Sequence, residues 1–147
     1  MLNKTKPIRS QKRKPKAKSL GKLKKQAWDL LSQCIRRERV NIYDQACCYT
    51  CEEWKPWKEI QAGHAIGGRH NAVLFDEEII RPQCCGCNIF KRGNYQVFIT
   101  KLIQENGLDW WLDKLEQSRQ TIKYDRCDLE AKIESYKQRL KGLEVAG

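Results

Sequence analysis

Apolar positions recur at helical spacing in four stretches, and a cysteine-rich middle without that spacing separates the first from the other three. Leu20, Leu23, Ala27, Leu30, Leu31, Cys34 and Ile35 form the first stripe, which predicts a helix over 19–40 capped by Ser19. Cys34 lies on that stripe and reads as a core thiol. Tyr95, Phe98, Ile99, Leu102 and Ile103 form the second stripe, which stops at Gly107. Leu108, Trp111, Leu112 and Leu115 form the third, and Leu129, Ile133, Tyr136, Leu140 and Leu143 the fourth. The last stripe approximates an a/d seam over only about two heptads, too few for a coiled coil. These trailing helices read as core elements or as a dimer surface, so a homodimer is one partner expectation.

The middle predicts irregular structure. Val40–Ala46 reads as a connection, and Trp54, Pro56 and Trp57 as a turn. Lys58–Ile66 reads as an extended strand ending at Gly67-Gly68, and Phe75–Pro82 as a second loop or strand. A short helix is expected beside Cys84–Cys87, holding Asn88 and Lys91. The expected fold class is α+β, mainly helical, with a stapled middle and flanking helices. It forms one domain over 19–147, with a core at 44–106 and C-terminal helices at 108–143, behind a basic arm at 1–18.

Charge sharpens that division. The chain has 147 residues, 29 Lys and Arg, 18 Asp and Glu, and a net charge of +11. No acid occurs before Asp29, whereas eleven basic residues lie between Lys4 and Lys25. The remaining basic and acidic residues balance, so the whole net charge sits at the N-terminal end. Residues 1–18 carry two prolines and almost nothing apolar, and are expected to be disordered alone. Such a block is suited to a phosphate backbone. Lys12, Arg13, Lys14, Lys22, Lys24 and Lys25 are therefore candidate DNA contacts, with Arg69 and Arg92 nearer the middle. No apolar run is long enough to span a membrane or serve as a signal-peptide core, so a cytoplasmic protein is expected.

The cysteines carry the strongest chemical signal. Cys48-x-x-Cys51 and Cys84-x-x-Cys87 are spaced as two knuckles of a tetrahedral zinc clip. Cys47 and Cys85 are adjacent competitors, but neither leaves both pairs with the two-residue gap. A closed four-thiolate site is structural. His64 follows Gly63 in a glycine-rich strand end, and neutral imidazole is a suitable base near pH 7. Asn88 follows the last thiolate, and its amide oxygen is a hard ligand suited to Mg²⁺ or Mn²⁺. Lys91 is placed to meet phosphate. His70 reads as non-catalytic, with a metal-ligand role left open. Trp54 and Trp57 read as a cover for the zinc or as a stacking platform for an unpaired base.

The order CxxC, Gly-His, CxxC-Asn, with a lysine three residues on, resembles the HNH or ββα-metal (His-Me finger) nucleases. The Cys87-Asn88 ending is similar to that of endonuclease VII. Ala62-Gly63-His64, Phe75-Asp76-Glu77, Gln83-Cys84-x-x-Cys87-Asn88, Lys91-x-Gly93-Asn94 and Tyr136-x-x-x-Leu140-Lys141-x-Leu143 resemble the NinG (Rap) recombination protein family of lambdoid phages. The resemblance implies a zinc-stapled ββα-metal core and a metal-dependent DNA endonuclease. Its substrates would be Holliday junctions, D-loops and flaps. It gives His64 the general-base role and makes Asn88 a ligand of a catalytic Mg²⁺ or Mn²⁺; Asp76 or Glu77 is the candidate for a further carboxylate. Partners would be branched DNA and phage or host recombination proteins, in the host cytoplasm. Gly63 stands where many relatives have Asp or His, Gln61 where NinG proteins can carry an acid, and Ile79 at the central Asn of the HNH pattern. These three positions support an alternative, a zinc-stabilised branched-DNA-binding protein without cleavage activity.

Overall fold

The structure is a computed structural model that describes residues 16–68 and 70–146. Lys12, Arg13, Lys14, Arg69 and most of the basic arm lie outside the described residues. The first helix, α1 (Leu20–Arg37), starts where Ser19 Oγ accepts the Lys22 N–H and ends before the expected residue 40. Arg36 and Arg37 occupy its last turn, where cations oppose the partial negative charge of the helix end.

Two short hairpin pairs follow. Strands β1 (Gln45–Cys47) and β2 (Trp54–Pro56) pair antiparallel, with Cys47 opposite Trp54. The segment expected to be a turn is thus a strand. The reversal happens earlier, at Glu52, whose φ is +65°, and the Cys48 N–H donates to Glu53 O at 2.8 Å. Strand β3 is only Gln61–His64, because the Glu59 and Ile60 N–H groups both turn back to Pro56 O. It pairs antiparallel with β4 (Ile80–Gln83), in the register Gln61–Gln83 and His64–Ile80. Between these strands lie α2 (Asn71–Leu74) and a 3₁₀ turn at Glu77–Ile79, so Phe75–Pro82 is divided among three conformations. After β4 comes a π-helical turn, Gly86–Phe90. It holds Asn88, whereas Lys91 falls just past its end. The chain finishes with α3 (Tyr95–Asn106), α4 (Leu108–Ser118) and α5 (Arg126–Val145).

Three apolar clusters hold these elements. In the largest, Leu23, Ala27, Leu31, Cys34 and Ile35 of α1 meet Leu129, Ile133, Tyr136 and Leu140 of α5. The Cys34 thiol is fully buried and donates to Tyr136 O. The last stripe therefore packs inside the chain against α1. A second cluster joins Val73 and Ile79 to Phe98, Leu102 and Trp111 under α3 and α4. The third surrounds the cysteine pairs with Ala46 and Ile60. Among the described residues no helix is long and apolar enough to cross a membrane.

Candidate metal centre and nucleic-acid site

The reversal after β1 and the turn after β4 bring both cysteine pairs together. The sulfurs of Cys48, Cys51, Cys84 and Cys87 lie within 4.8 Å of one another and can hold a metal ion. The surroundings suit thiolates: Thr50 Oγ1 stands 3.4 Å from Cys48 Sγ, the Cys87 N–H points at Cys84 Sγ, and Asn94 Nδ2 at Cys87 Sγ. Burial opposes ionisation of Cys48, but backbone hydrogen bonds from Cys51, Cys84 and Thr50 and the Thr50 hydroxyl outweigh it, drawing its pKa down to about 6. Burial pushes Cys51 up to about 12, and the neighbouring thiols act in the same direction. Four sulfur donors in a closed cluster are the donor set of structural zinc. Cys47 stays outside, with its sulfur toward Glu52 O, and Cys85 is exposed. Trp57 packs against the clip cluster and carries Arg36 and Arg37 over its ring, at 5.5 and 5.0 Å. Trp54 remains half exposed beside Arg39, Tyr49, Arg81 and Lys101.

His64 ends β3 and is held from two sides. Its ring stacks on the Trp28 indole of α1, with centroids 4.6 Å apart, and its Nε2 lies 3.0 Å from Leu74 O. A carbonyl only accepts, so Nε2 carries the hydrogen in this contact. Ile79 is a buried core residue whose carbonyl accepts from the Ala65 N–H. Leu74 O and Trp28 both orient the imidazole. A recess of ≈ 210 Å³ lined by Gly21, Lys24, Lys25, Trp28 and Leu74 adjoins the ring's two partners. Lys24 donates to Asn71 Oδ1, Lys25 pairs with Asp29, and Lys22 is exposed.

Strand alternation divides the remaining candidates. Ala62 packs toward α1, as His64 does, whereas Gln61 and Gly63 face the other way. There Asn88 Nδ2 donates to Gln61 Oε1 at 2.7 Å, leaving Asn88 Oδ1 as the ligand end of the amide. Gly63 is packed by Gln83: a methyl group at residue 63 would come within 2.1 Å of Gln83 Oε1. The Gln83 side chain is fixed by donating to Thr50 Oγ1 and Gly93 O, while its own oxygen is buried without a hydrogen-bond partner. The place of a carboxylate at residue 63 is thus filled by a neutral amide.

Asp76, expected as a metal ligand, has other work. Its Oδ1 caps Glu78 N–H and its Oδ2 pairs at 2.8 Å with the buried Lys114, which also meets Glu78. Glu77 pairs with Arg139, which joins it to Glu38. The Phe75-Asp76-Glu77 word therefore ties α4 and α5 to the middle of the chain. Lys91 and Arg92 are exposed on the turn after the clip, and His70 precedes α2 with its ring over Gly68. Arg81 is half-buried, donating to Glu77 O and Ile80 O and lying over the Tyr49 ring. Sequence reasoning missed Trp28, Leu74 O, Gln83 and Lys114. Only Trp28 had a signal, an aromatic side chain beside the apolar stripe of a basic helix.

No curated protein and no solved structure matches the chain. The family model described as Bacteriophage Lambda NinG protein matches residues 3–145. That span takes in both cysteine pairs, the Gly-His strand and the final helix, and the chain belongs to the bacteriophage lambda NinG protein family.

Proposed function

We propose that the chain is a metal-dependent endonuclease that cleaves branched DNA intermediates of recombination, such as Holliday junctions, D-loops and flaps. The observation that carries this reading is the placement of His64. Its ring is oriented by Leu74 O and stacked on Trp28, a residue of the same helix that presents Lys22, Lys24 and Lys25. The order β3, β4, then a helical turn bearing Asn88 supports an HNH-like core held by zinc.

In this reading the His64 imidazole takes a proton from water as the water oxygen bonds to a DNA phosphorus. The P–O3′ bond breaks, the 3′ oxygen gains a proton from solvent, and the product carries a 5′ phosphate. Lys91 neutralises phosphate charge. Asn88 Oδ1 fits as one ligand of Mg²⁺ or Mn²⁺. Waters and substrate phosphate would supply further ligands, as is usual for Mg²⁺. When bound, that ion supplies Lewis-acid stabilisation of the charge at phosphorus.

The test is cleavage of a synthetic four-way junction beside a linear duplex, with and without Mg²⁺ or Mn²⁺. Wild type, His64→Ala, Asn88→Ala and the double variant are compared. Metal-dependent junction cutting lost in both single variants, with no further loss in the double, supports one catalytic unit. Cutting retained in His64→Ala removes the base assignment. The second reading, branched-DNA binding without cleavage, is favoured by the amide that fills the place of a carboxylate at Gly63, and by the position of Asn88 on the strand face opposite His64. Tight junction binding with no cutting under either ion selects it.

A further inference from the structure

The turn that closes the clip exposes two large apolar side chains that no core claims. Phe90 is 81% exposed and Ile89 54%. Exposure here does not come from a loose loop. The Lys91 N–H donates to Gly86 O, the Arg92 N–H to Ile89 O and the Gly93 N–H to Cys87 O, at 2.9–3.0 Å. Arg92, Gly93 and Asn94 then all have positive φ, which bends the chain sharply back under the tip. Asn94 Nδ2 reaches Cys87 Sγ, so the base of the turn is fastened to the metal cluster.

The turn also stands beside the strand that carries His64. Asn88 holds Gln61 of β3, and the Tyr95 side chain lies between the turn and the loop beyond His64. A methyl group at Gly93 would come within 2.7 Å of the Tyr95 ring, and one at Gly67 within 2.8 Å of its hydroxyl. Charge indicates the occupant. No acid occurs between Glu78 and Glu105, and the exposed residues directly after Phe90 are Lys91 and Arg92. An apolar tip followed directly by two exposed cations suits a polyanion that offers apolar faces, which is the chemistry of unstacked bases between phosphates.

We propose that Phe90 is a wedge that enters the opened base stack at a DNA branch point, with Lys91 and Arg92 gripping the flanking phosphates. The proposal rests on the DNA-binding reading above and adds the element that distinguishes a branch from a continuous duplex.

The experiment uses the full zinc-loaded chain without added Mg²⁺ or Mn²⁺. It compares wild type, Phe90→Ala and Phe90→Leu for affinity to a four-way junction and to a linear duplex of the same arm sequence. Permanganate reactivity of thymines at the branch is read in parallel. The junction-to-duplex affinity ratio is expected to fall roughly tenfold in Phe90→Ala, the size of one lost stacking contact, and less in Phe90→Leu. Branch thymines should react faster in the wild-type complex, and the gain should vanish in Phe90→Ala. Duplex affinity and zinc content should stay unchanged. An unchanged ratio and unchanged reactivity overturn the wedge while leaving DNA binding intact. So does a Phe90→Ala protein whose only change is loss of a dimer in sedimentation, which assigns the tip to a second copy. A wild type that binds neither DNA sinks the DNA reading itself.

Discussion

The indole of Trp28 lies stacked on the imidazole of His64, with ring centres 4.6 Å apart and planes 28° from parallel. This contact joins the basic first helix to the end of β3. On the nuclease proposal it would make Trp28 a positioning residue, because the indole has no group that can accept a proton from water.

Trp28→Ala should therefore reduce junction cleavage at least tenfold while changing junction affinity little. It should cost about 2 kcal/mol of stability, less than a fully buried tryptophan because Trp28 is only half-buried. Trp28→Phe should restore most of the rate. Single-turnover kinetics with parallel thermal melts would check this, and an equal loss in both variants would deny the stacking role.

The Gly63–Gln83 contact yields a second test. Gly63→Ala forces its new methyl group onto the fixed Gln83 carboxamide and should destabilise the protein by about 1–3 kcal/mol. Gln83→Ala should relieve the clash, so the double variant should be more stable than the sum of the two losses predicts. Denaturant unfolding of the four proteins measures the coupling. Simple additivity would show that the two positions do not meet.

Metal content is the third. The folded chain should carry about one zinc per molecule, and Cys84→Ser or Cys87→Ser should lose it with a large fall in melting temperature. Because bound sulfur must be deprotonated, zinc should be released as pH falls, and removal should loosen the turn bearing Asn88 and Phe90. Elemental analysis with melting curves reads both. A Cys84→Ser variant as stable as wild type would refute the clip.

Lys114 supplies a pH prediction. Burial alone would lower its pKa, but Asp76 and Glu78 outweigh it and the net shift is upward. A group raised on folding contributes stability that is present below its unfolded pKa and is lost as pH rises through its folded one. Its share should therefore hold below the ordinary lysine value of 10.5 and fade at more alkaline pH. Lys114→Met should cost about 3 kcal/mol near neutrality, because Asp76 is left buried without its cation, and this penalty should shrink at high pH. A penalty constant across the alkaline range would contradict the ion-pair account.

The helices were legible because each has an apolar stripe, which α1 and α5 bury against each other through Leu23, Leu31, Ile35, Leu129 and Ile133, although Leu108 and Leu112 of the α4 stripe stay exposed. The cysteine pairs were legible because their spacing is itself the geometry of a knuckle. The middle was harder. Trp54–Pro56 forms a strand because β1 offers it a partner, and no local pattern announces a partner. Asp76 looked like a free carboxylate because its cation, Lys114, lies 38 residues away. Leu74 supports His64 through its backbone oxygen, which carries no trace in residue identity. Gly63 read as a missing ligand, whereas in the fold it is the space that Gln83 occupies.

The pairing of α1 with α5 has a consequence for synthesis. Cys34 and Tyr136, which meet across it, are separated by 102 positions, and Glu38 and Arg139 by 101. The helix that positions the His64 ring thus has its own apolar side closed only when the last helix arrives. A nascent chain still lacking that helix has made His64 and both cysteine pairs, yet has no settled seat for Trp28. Contacts this distant form late and set the pace of folding. On the nuclease proposal, ribosome-bound and prematurely terminated products should accordingly fail to cleave DNA until the last helix is in place.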